Sequence, residues 1–518
     1  MTVQNKFNLV NEPWIPVAGK GLVSLSEIFS NPDLSALGGN PVQKIALTKL
    51  LLAIAQTAYT PTDDEDWKKL GASGMAKKSL VYLREKRDLF WLYGEKPFLQ
   101  MPALAKLIAA RKNAELKSAK TDGEKKEAEE KAMPKFMGSA ESPDLPSENN
   151  TVLTQNQGSI VLSDAEKAVF LITLMNFALG GKRVEKKLPT LTADYSGKSD
   201  SAKSAPSLGN HWGYLHSFLT GTKMIDTLWI NILTHEQING YRTWTSKLGV
   251  APWEDMPTGE GCVTAQKLKN SYLGCLVALS RFVFFEKDGI YYVEGIQYPS
   301  HKHGWREPTM AISDAKDTLK LLWVNPEKKP WRELTALLSF ISNQNTEGFD
   351  CQQIRWSLER AKSLDKFSVW SGGLKVRANA GDQSVKQNDD FVESEIQLSS
   401  ALLGEIPFTQ LKQEMDGLNA LSKIVYGAAI GFFKAQKAEV EGKKQAAQAA
   451  NLFWQLCERK FQELVNACED SSGEEVKNIR RVFAGFVNKA YNTYCPKDTA
   501  RQLDAWAANR PNLAKYLA

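Results

Sequence analysis

The sequence predicts an α+β protein: a large mixed α/β region with irregular loops and β-hairpins over residues 1–400, followed by a four-helix bundle over 405–518. Three observations carry this reading. From 405 onward the apolar residues recur three and four apart, as in Leu421, Ile424, Val425, Ala428 and Phe432, then Leu452, Phe453, Leu456, Phe461 and Leu464, then Ile479, Val482, Phe483, Phe486 and Val487. That is the period of helices that each bury one face. In the middle of the chain FVFFEKDGIYYV, 282–293, sets two aromatic and β-branched runs around an Asp288-Gly289 turn, the strongest local signal of a hairpin. At the start, FNLVNEPWIPV, 7–17, brackets a tryptophan with prolines that hold Glu12 and Ile15 extended, as in a first strand and its turn. With 518 residues the chain exceeds one ordinary core, so two or three domains are expected.

The elements between these landmarks follow from period and punctuation. In the opening segment Phe7, Leu9 and Trp14 are expected on a core, with Asn8, Asn11 and Glu12 in solvent. LVSLSEIFS, 22–30, reads as a short strand and the first turn of a helix. PVQKIALTKLLLAIAQTAY, 41–59, reads as a buried helix with proline in its first turn, ending at a Thr-Pro turn and well short of the ~20 apolar residues of a membrane span. Leu80, Leu83, Phe90 and Leu92 predict one amphipathic helix that stops near Gly94. Residues 111–135 hold eight basic and six acidic residues and almost no large apolar ones, so they form a solvated excursion. Residues 138–159 are turn formers around a short TVLT island, a loop of functional length. A helix then starts at Ser163, with Glu166 in capping-box position, and ends at Gly180-Gly181. Leu215, Leu219, Leu228 and Ile232 give 211–233 a helical spacing.

The chemistry is defined partly by what is missing. Sixty-five basic against 59 acidic residues leave +6, which permits a polyanion partner without demanding one. Six scattered cysteines form no CxxC pair and no metal-site spacing, and no leader or spanning segment is seen; a reduced, cytoplasmic chain without cofactors is expected. Nucleotide-binding, zinc-protease, serine-hydrolase and helicase signatures are absent, and the run Asp63, Asp64, Glu65, Asp66 is a poor metal site because neighbours one or two apart on a helix do not converge. Catalysis is not expected. The basic segment 181–205, with Lys182, Arg183, Lys186 and Lys187 among small and hydroxyl residues, suits a phosphate backbone, although surface linkers share that composition. HKHGWREP, 301–308, offers charge and a ring for stacking, or a loop that packs its tryptophan. WSGGLKVRANAGDQSVKQNDDFV, 370–392, predicts a hairpin with Lys375 and Arg377 on its first strand and a polar tip of Asn379, Ala380, Gly381, Asp382 and Gln383. Such a tip can read or part base pairs, and an ordinary surface hairpin looks the same.

The opening FNLVNEPWIPV closely resembles the start of the large subunit of the type I-E CRISPR surveillance complex, Cascade (the CasA family), and looser similarity runs on through KPFLQ at 96–100, 163–181, GYLHSFLTGTKMIDTLWINI at 213–232, SGGLKVRANAG at 371–381 and the C-terminal helices. The resemblance implies a non-enzymatic DNA-recognition subunit that recognises the protospacer-adjacent motif through the minor groove. It implies as partners the other Cascade subunits, the 5′-handle end of the crRNA, double-stranded target DNA and the helicase-nuclease recruited after R-loop formation. It places the motif-reading loop on Val152, Leu153, Thr154 and Gln155, and a glycine loop on 205–213, where only Gly209 and Gly213 are found. A basic contact falls on Arg281 or Lys287, and a wedge hairpin on Asn379, Ala380 and Gly381 with Gln383 beside it. The alternatives are a structural scaffold that bridges subunits without reading DNA, and a nuclease, which would need a convergent acidic cluster.

Overall fold

The computed structural model describes residues 4–136, 161–179, 191, 213–286, 289–299, 301, 304–313, 319–341, 348–379, 382–385, 390–469 and 473–517. The chain divides into two compact units. One comprises Met1–Pro326, Cys351–Ala361 and Trp370–Ser394; the other comprises Glu327–Asp350, Lys362–Val369 and Glu395–Ala518. The first is mixed α and β with small sheets and loops, and the second is rich in helix.

The proline-bracketed opening is a structural anchor. Ile15–Val17 pairs antiparallel with Gly21–Val23, and Lys6–Asn8 pairs with Trp91–Tyr93. Trp14 is fully buried and its Nε1–H donates to the Leu9 carbonyl at 2.9 Å. Asn8, expected in solvent, is 2% exposed: its amide donates to the Arg87 carbonyl and its Oδ1 accepts from Val10 N–H. The strand Trp91–Tyr93 also corrects the expected single helix through Phe90 and Leu92. The helix Asp64–Glu85 stops before them, because the backbone of 91–93 finds partners in the opening strand instead.

Helix Pro41–Ala58 starts where expected, with Asn40 and Gln43 forming a capping box and proline in the first turn. It is buried on all sides, packed by helices Asp64–Glu85, Asp164–Asn176, Met224–Asn231 and Tyr272–Leu276, as an apolar-all-round helix must be. The acidic run is a cap: Asp63 accepts from Glu65 and Asp66 N–H, and Asp66 accepts from Tyr59 O–H and Thr62 N–H. Among the described residues no cluster of metal-ligand type occurs and no helix is long and apolar enough to cross a membrane. None of the six cysteines forms a disulfide.

The helical spacing of 211–233 is half overridden. His216–Gly221 is a strand, and only Met224–Asn231 is helix. The strand takes a place in a sheet whose order runs Phe391–Leu398, Phe367–Leu374, His216–Gly221. The predicted hairpin forms between Arg281–Glu286 and Gly289–Glu294 in full register. Within 301–308 the two described rings pack inward: Trp305 is 5% exposed beside Tyr298, and His301 meets the Tyr214 hydroxyl at 3.2 Å.

In the second unit, helices Glu405–Ala435, Glu439–Glu458, Phe461–Glu469 and Glu474–Tyr494 pack through most of the expected apolar faces, but Val482, expected on one of them, is 37% exposed. EVEGKKQ, 439–445, whose glycine and charges read as a loop between two of these helices, lies inside Glu439–Glu458; the chain turns earlier, where Lys437 adopts φ +61°. Arg480 grips the buried Glu414 through Nε and Nη2, a forked ion pair.

One buried ion pair fastens the first unit. Lys49 Nζ lies 2.7 Å from Glu307 Oε1, with side chains 4% and 2% exposed. Desolvation raises the Glu307 carboxyl, but the charges of Lys49 and His216 and the hydrogen bonds from Lys49 and Thr309 outweigh it, leaving the pKa below its ordinary 4.5. Lys49→Met, which strands the carboxylate, is expected to cost about 3–5 kcal/mol in denaturant unfolding, and adding Glu307→Leu to recover most of that. Because the folded-state pKa is depressed, the carboxylate's contribution is complete above the unfolded value and is lost as pH falls through the folded one. An acid titration of stability below pH 4.5 that is identical for wild type and the double variant would count against this.

Candidate nucleic-acid interface

The described residues of the 370–392 segment form a hairpin with one change from expectation: Lys375 lies between the base strand Phe367–Leu374 and the hairpin strand Arg377–Asn379, not on the hairpin strand itself. In strand Phe367–Leu374, Trp370 stacks on Phe218 at 4.7 Å between ring centres, and its indole N–H donates to Glu393 Oε1 at 2.7 Å. That oxygen also takes Lys44 Nζ at 2.6 Å. The Ser371 and Ser217 hydroxyls meet at 2.7 Å. Beyond Val376 the chain projects as Arg377–Asn379 against Asp382–Ser384, paired Arg377 with Ser384, Ala378 with Gln383 and Asn379 with Asp382. Asn379 and Gln383 therefore belong to the strands, and the connection is the dipeptide at 380 and 381, narrower than the tip read from sequence. The glycines Gly372 and Gly373 lie within the base strand.

At the hairpin root two cations flank one acid. Arg377 Nη2 donates to Asp390 Oδ1 at 3.0 Å; the arginine side chain is 44% exposed and the aspartate 2%. The Lys375 backbone N–H donates to the Asp390 carbonyl at 2.9 Å. Burial lowers the Lys375 ammonium below its usual value, Asp390 opposes that, and the Arg377 charge adds to it. The root therefore carries a planar guanidinium on a fixed acid, the geometry that suits an oxyanion such as a phosphodiester.

Gly213 seats this base. Its φ is +80°, and a Cβ there would lie 2.0 Å from the Leu374 carbonyl oxygen and 3.3 Å from Val376 Cγ2. Gly373 repeats the close approach from the other side, where a Cβ would lie 2.6 Å from the Tyr214 carbonyl oxygen. The Gly213 carbonyl accepts from Val324 N–H at 3.0 Å, and Tyr214 stacks on Trp323. The backbones of 213–214 and 373–374 thus meet without side chains between them, which only glycine permits.

Comparison with known proteins then decides the family. The family model for CRISPR-associated protein Cse1 matches residues 8–490. The chain belongs to the CRISPR-associated Cse1 family. A curated relative, CRISPR-associated protein CasA/Cse1 of Thermus thermophilus, is 27% identical over 356 residues, covering 64% of this chain and 60% of the relative, so the match spans less than two thirds of that protein. The crystal structure of Thermus thermophilus CasA superposes with a TM-score of 0.69 at 21% identity, covering 99% of both chains. Thermobifida fusca Cse1 gives 0.68 at 18%, over 99% of this chain and 98% of that one. A chain from the structure of a CRISPR RNA-guided surveillance complex gives 0.63 at 14%, over 99% and 100%. These likenesses establish the Cse1 fold.

The expected site residues divide sharply. Val152, Leu153, Thr154, Gln155, Lys182, Arg183, Lys186, Lys187, Gly209, Lys287, Ala380 and Gly381 lie outside the described residues. Arg281 is 3% exposed, and its guanidinium donates to the Leu179 and Ser280 carbonyls, so a phosphate contact would require it to leave those acceptors. Gly213, Lys375 and Arg377 come together at the hairpin base. Sequence reading missed Asp390, Glu393 and Trp370 there; the signal available was Asp389-Asp390 following a basic hairpin strand.

Gly213→Ala is expected to cost about 2–4 kcal/mol, combining left-handed backbone with overpacking against a carbonyl. Amide exchange should quicken at Leu374 and Val376; unchanged stability and exchange would show that the seat yields freely.

Proposed function

We propose that this chain is the non-catalytic large subunit of a type I-E Cascade complex: it recognises the protospacer-adjacent motif in duplex DNA, promotes strand opening and R-loop formation, and recruits the helicase-nuclease. The observation that carries the reading is the Cse1 family match across residues 8–490. The likeness to a chain of an RNA-guided surveillance complex supports membership of such an assembly, with crRNA and other Cascade subunits as partners; the cytoplasm is read as its place. Helices Glu405–Ala435, Glu439–Glu458, Phe461–Glu469 and Glu474–Tyr494 are read as the four-helix bundle of that subunit.

Within this reading, Val152 to Gln155 read the motif from the minor groove, where A·T and T·A present similar acceptors and some degeneracy follows. Lys182, Arg183, Lys186 and Lys187 hold phosphates, with Lys287 as a further contact. The hairpin 377–384 is the wedge. Opening the first pair costs a few kcal/mol in unstacking, which a firm insertion at the junction can offset before guide pairing takes over. A narrow tip on a buried base has that firmness.

Two substitutions in the reconstituted complex test the reading. Gly-Ser replacement of 152–155 is expected to weaken binding to motif-bearing duplex at least tenfold, on the order of one good base contact, with assembly intact. Replacing 378–383 by Gly-Gly is expected to spare motif binding and slow R-loop formation, with the defect shrinking on a target whose first guide-adjacent pairs are pre-opened by mismatch. Normal affinity and normal opening in both variants would leave the scaffold role as the better account.

A further inference from the structure

We propose that Asp390 is a positioning residue: it orients Arg377 so that the guanidinium receives a phosphodiester of the DNA backbone at the point of strand opening. The inference rests on the wedge reading of the hairpin above and adds the group that makes its root a phosphate site. Three features of the root carry it.

The first is the asymmetry of burial. Arg377 is 44% exposed whereas Asp390 is 2% exposed. A surface arginine paired with a surface acid is a loose, screened contact, but an acid withdrawn from water is screened less and holds its partner more firmly. The second is that Asp390 engages the hairpin root twice. Its side chain takes Arg377 Nη2, and its carbonyl takes the N–H of Lys375, in the short link that leads into the arginine's strand, so the acid is fixed to the chain on which the arginine stands. A guanidinium is planar, with five N–H donors in a rigid fork; tethering one nitrogen to Asp390 restricts where the fork lies, while the side chain stays 44% exposed. The third is charge. Among the described side chains of the root, Lys375 and Arg377 place two cations against one acid, an excess that an added anion would offset. A backbone phosphate supplies that anion and presents the paired oxygens that a guanidinium fork binds. Trp370, Glu393 and Lys44 brace the adjoining strand, so the fork is aimed from a fixed platform.

The competing account makes Asp390 a neutraliser that holds Arg377 away from DNA. The two accounts predict opposite signs. In the assembled complex, Asp390→Asn keeps size and removes charge. If Asp390 positions the fork, this variant is expected to slow R-loop formation on a fully paired target roughly tenfold, within the range of coupled charge pairs. It should also flatten the salt dependence of R-loop formation by about one counterion. Affinity for the motif-bearing duplex before opening should stay within about twofold of wild type. Arg377→Ala should do the same, and the double variant should be no slower than Arg377→Ala alone, because Asp390 then has nothing to orient. Faster opening in Asp390→Asn, or effects that add in the double variant, would overturn the inference in favour of a neutralising or purely folding role. Should Asp390→Asn fail to assemble, Arg377→Lys carries the test: it keeps the charge and removes the fork, and severalfold slower opening is expected, whereas wild-type rates would refute it. Normal opening in Arg377→Ala itself would sink the wedge reading, while slow opening in Arg377→Ala with normal opening in Asp390→Asn would sink only the positioning role.

Discussion

The Lys49–Glu307 pair is the constraint on which the first unit depends. A helix buried on every side has no polar face to turn outward, and Lys49 sits in the middle of one, so its ammonium must find a carboxylate inside the protein. Glu307 is that carboxylate, and supplying it obliges the 307–309 segment to pass through the core. The Thr309 hydroxyl donates to Glu307 at 3.2 Å and meets His216 Nδ1 at 2.8 Å; since its one proton goes to the carboxylate, the imidazole is the donor in the second bond. The Thr309 carbonyl accepts from Ser217 N–H, and the Pro308 carbonyl accepts from Gln353 N–H. One ion pair therefore fixes the helix, the strand His216–Gly221 and the returning helix Gln352–Ala361 together.

From that strand the constraint passes to the proposed interface by short, stiff steps. Ser217 holds Ser371, Phe218 holds Trp370, and the backbone just before the strand, at Gly213 and Tyr214, lies flat on Gly373 and Leu374. Each step is a hydrogen bond, a ring stack or a direct backbone contact. The hairpin root inherits its position from the core rather than from its own strands, which are only three residues each. Two-stranded ribbons of that length do not hold a shape unaided.

How much of this could be read from sequence depends on the range of the interaction. Helix starts were legible because Asn40 with Gln43 and Ser163 with Glu166 satisfy backbone donors within one turn. The 281–294 hairpin was legible because both strands and the turn are contiguous. Phe90 and Leu92 were misassigned because the strand beside them pairs with residues 6 to 8, and nothing in the local pattern LFWLYG separates a helix end from a strand. His216–Gly221 was missed for the same reason: its apolar spacing suits a helix until the neighbouring strand is known. At the site, Arg377 and Lys375 were legible as hairpin cations, whereas Asp390 looked like one acid in a polar run. Its burial and its aim follow only from the hairpin register and the strand Phe391–Leu398 that continues from it. Gly213 was expected only as one member of a glycine loop; the contact with Leu374 gives it a steric reason of its own.

On the proposed reading this mounting resolves a conflict between tip and base. A tip that enters between base pairs must be small, and small residues such as the alanine and glycine at 380 and 381 bring no packing of their own. Stiffness must come from below, from the base strand and the root on which the hairpin stands. The root must also carry charge to meet phosphates, yet like charges side by side would push the strand outward unless an acid holds them. Burying that acid, rather than exposing it, keeps it from competing for solvent and from repelling the DNA at the surface, and the burial is possible only because Trp370 and Glu393 already fix the adjoining strands. The order of dependence therefore runs from Lys49 in the core to Arg377 at the surface, so a change in the core bears on the hairpin through the elements that the ion pair holds.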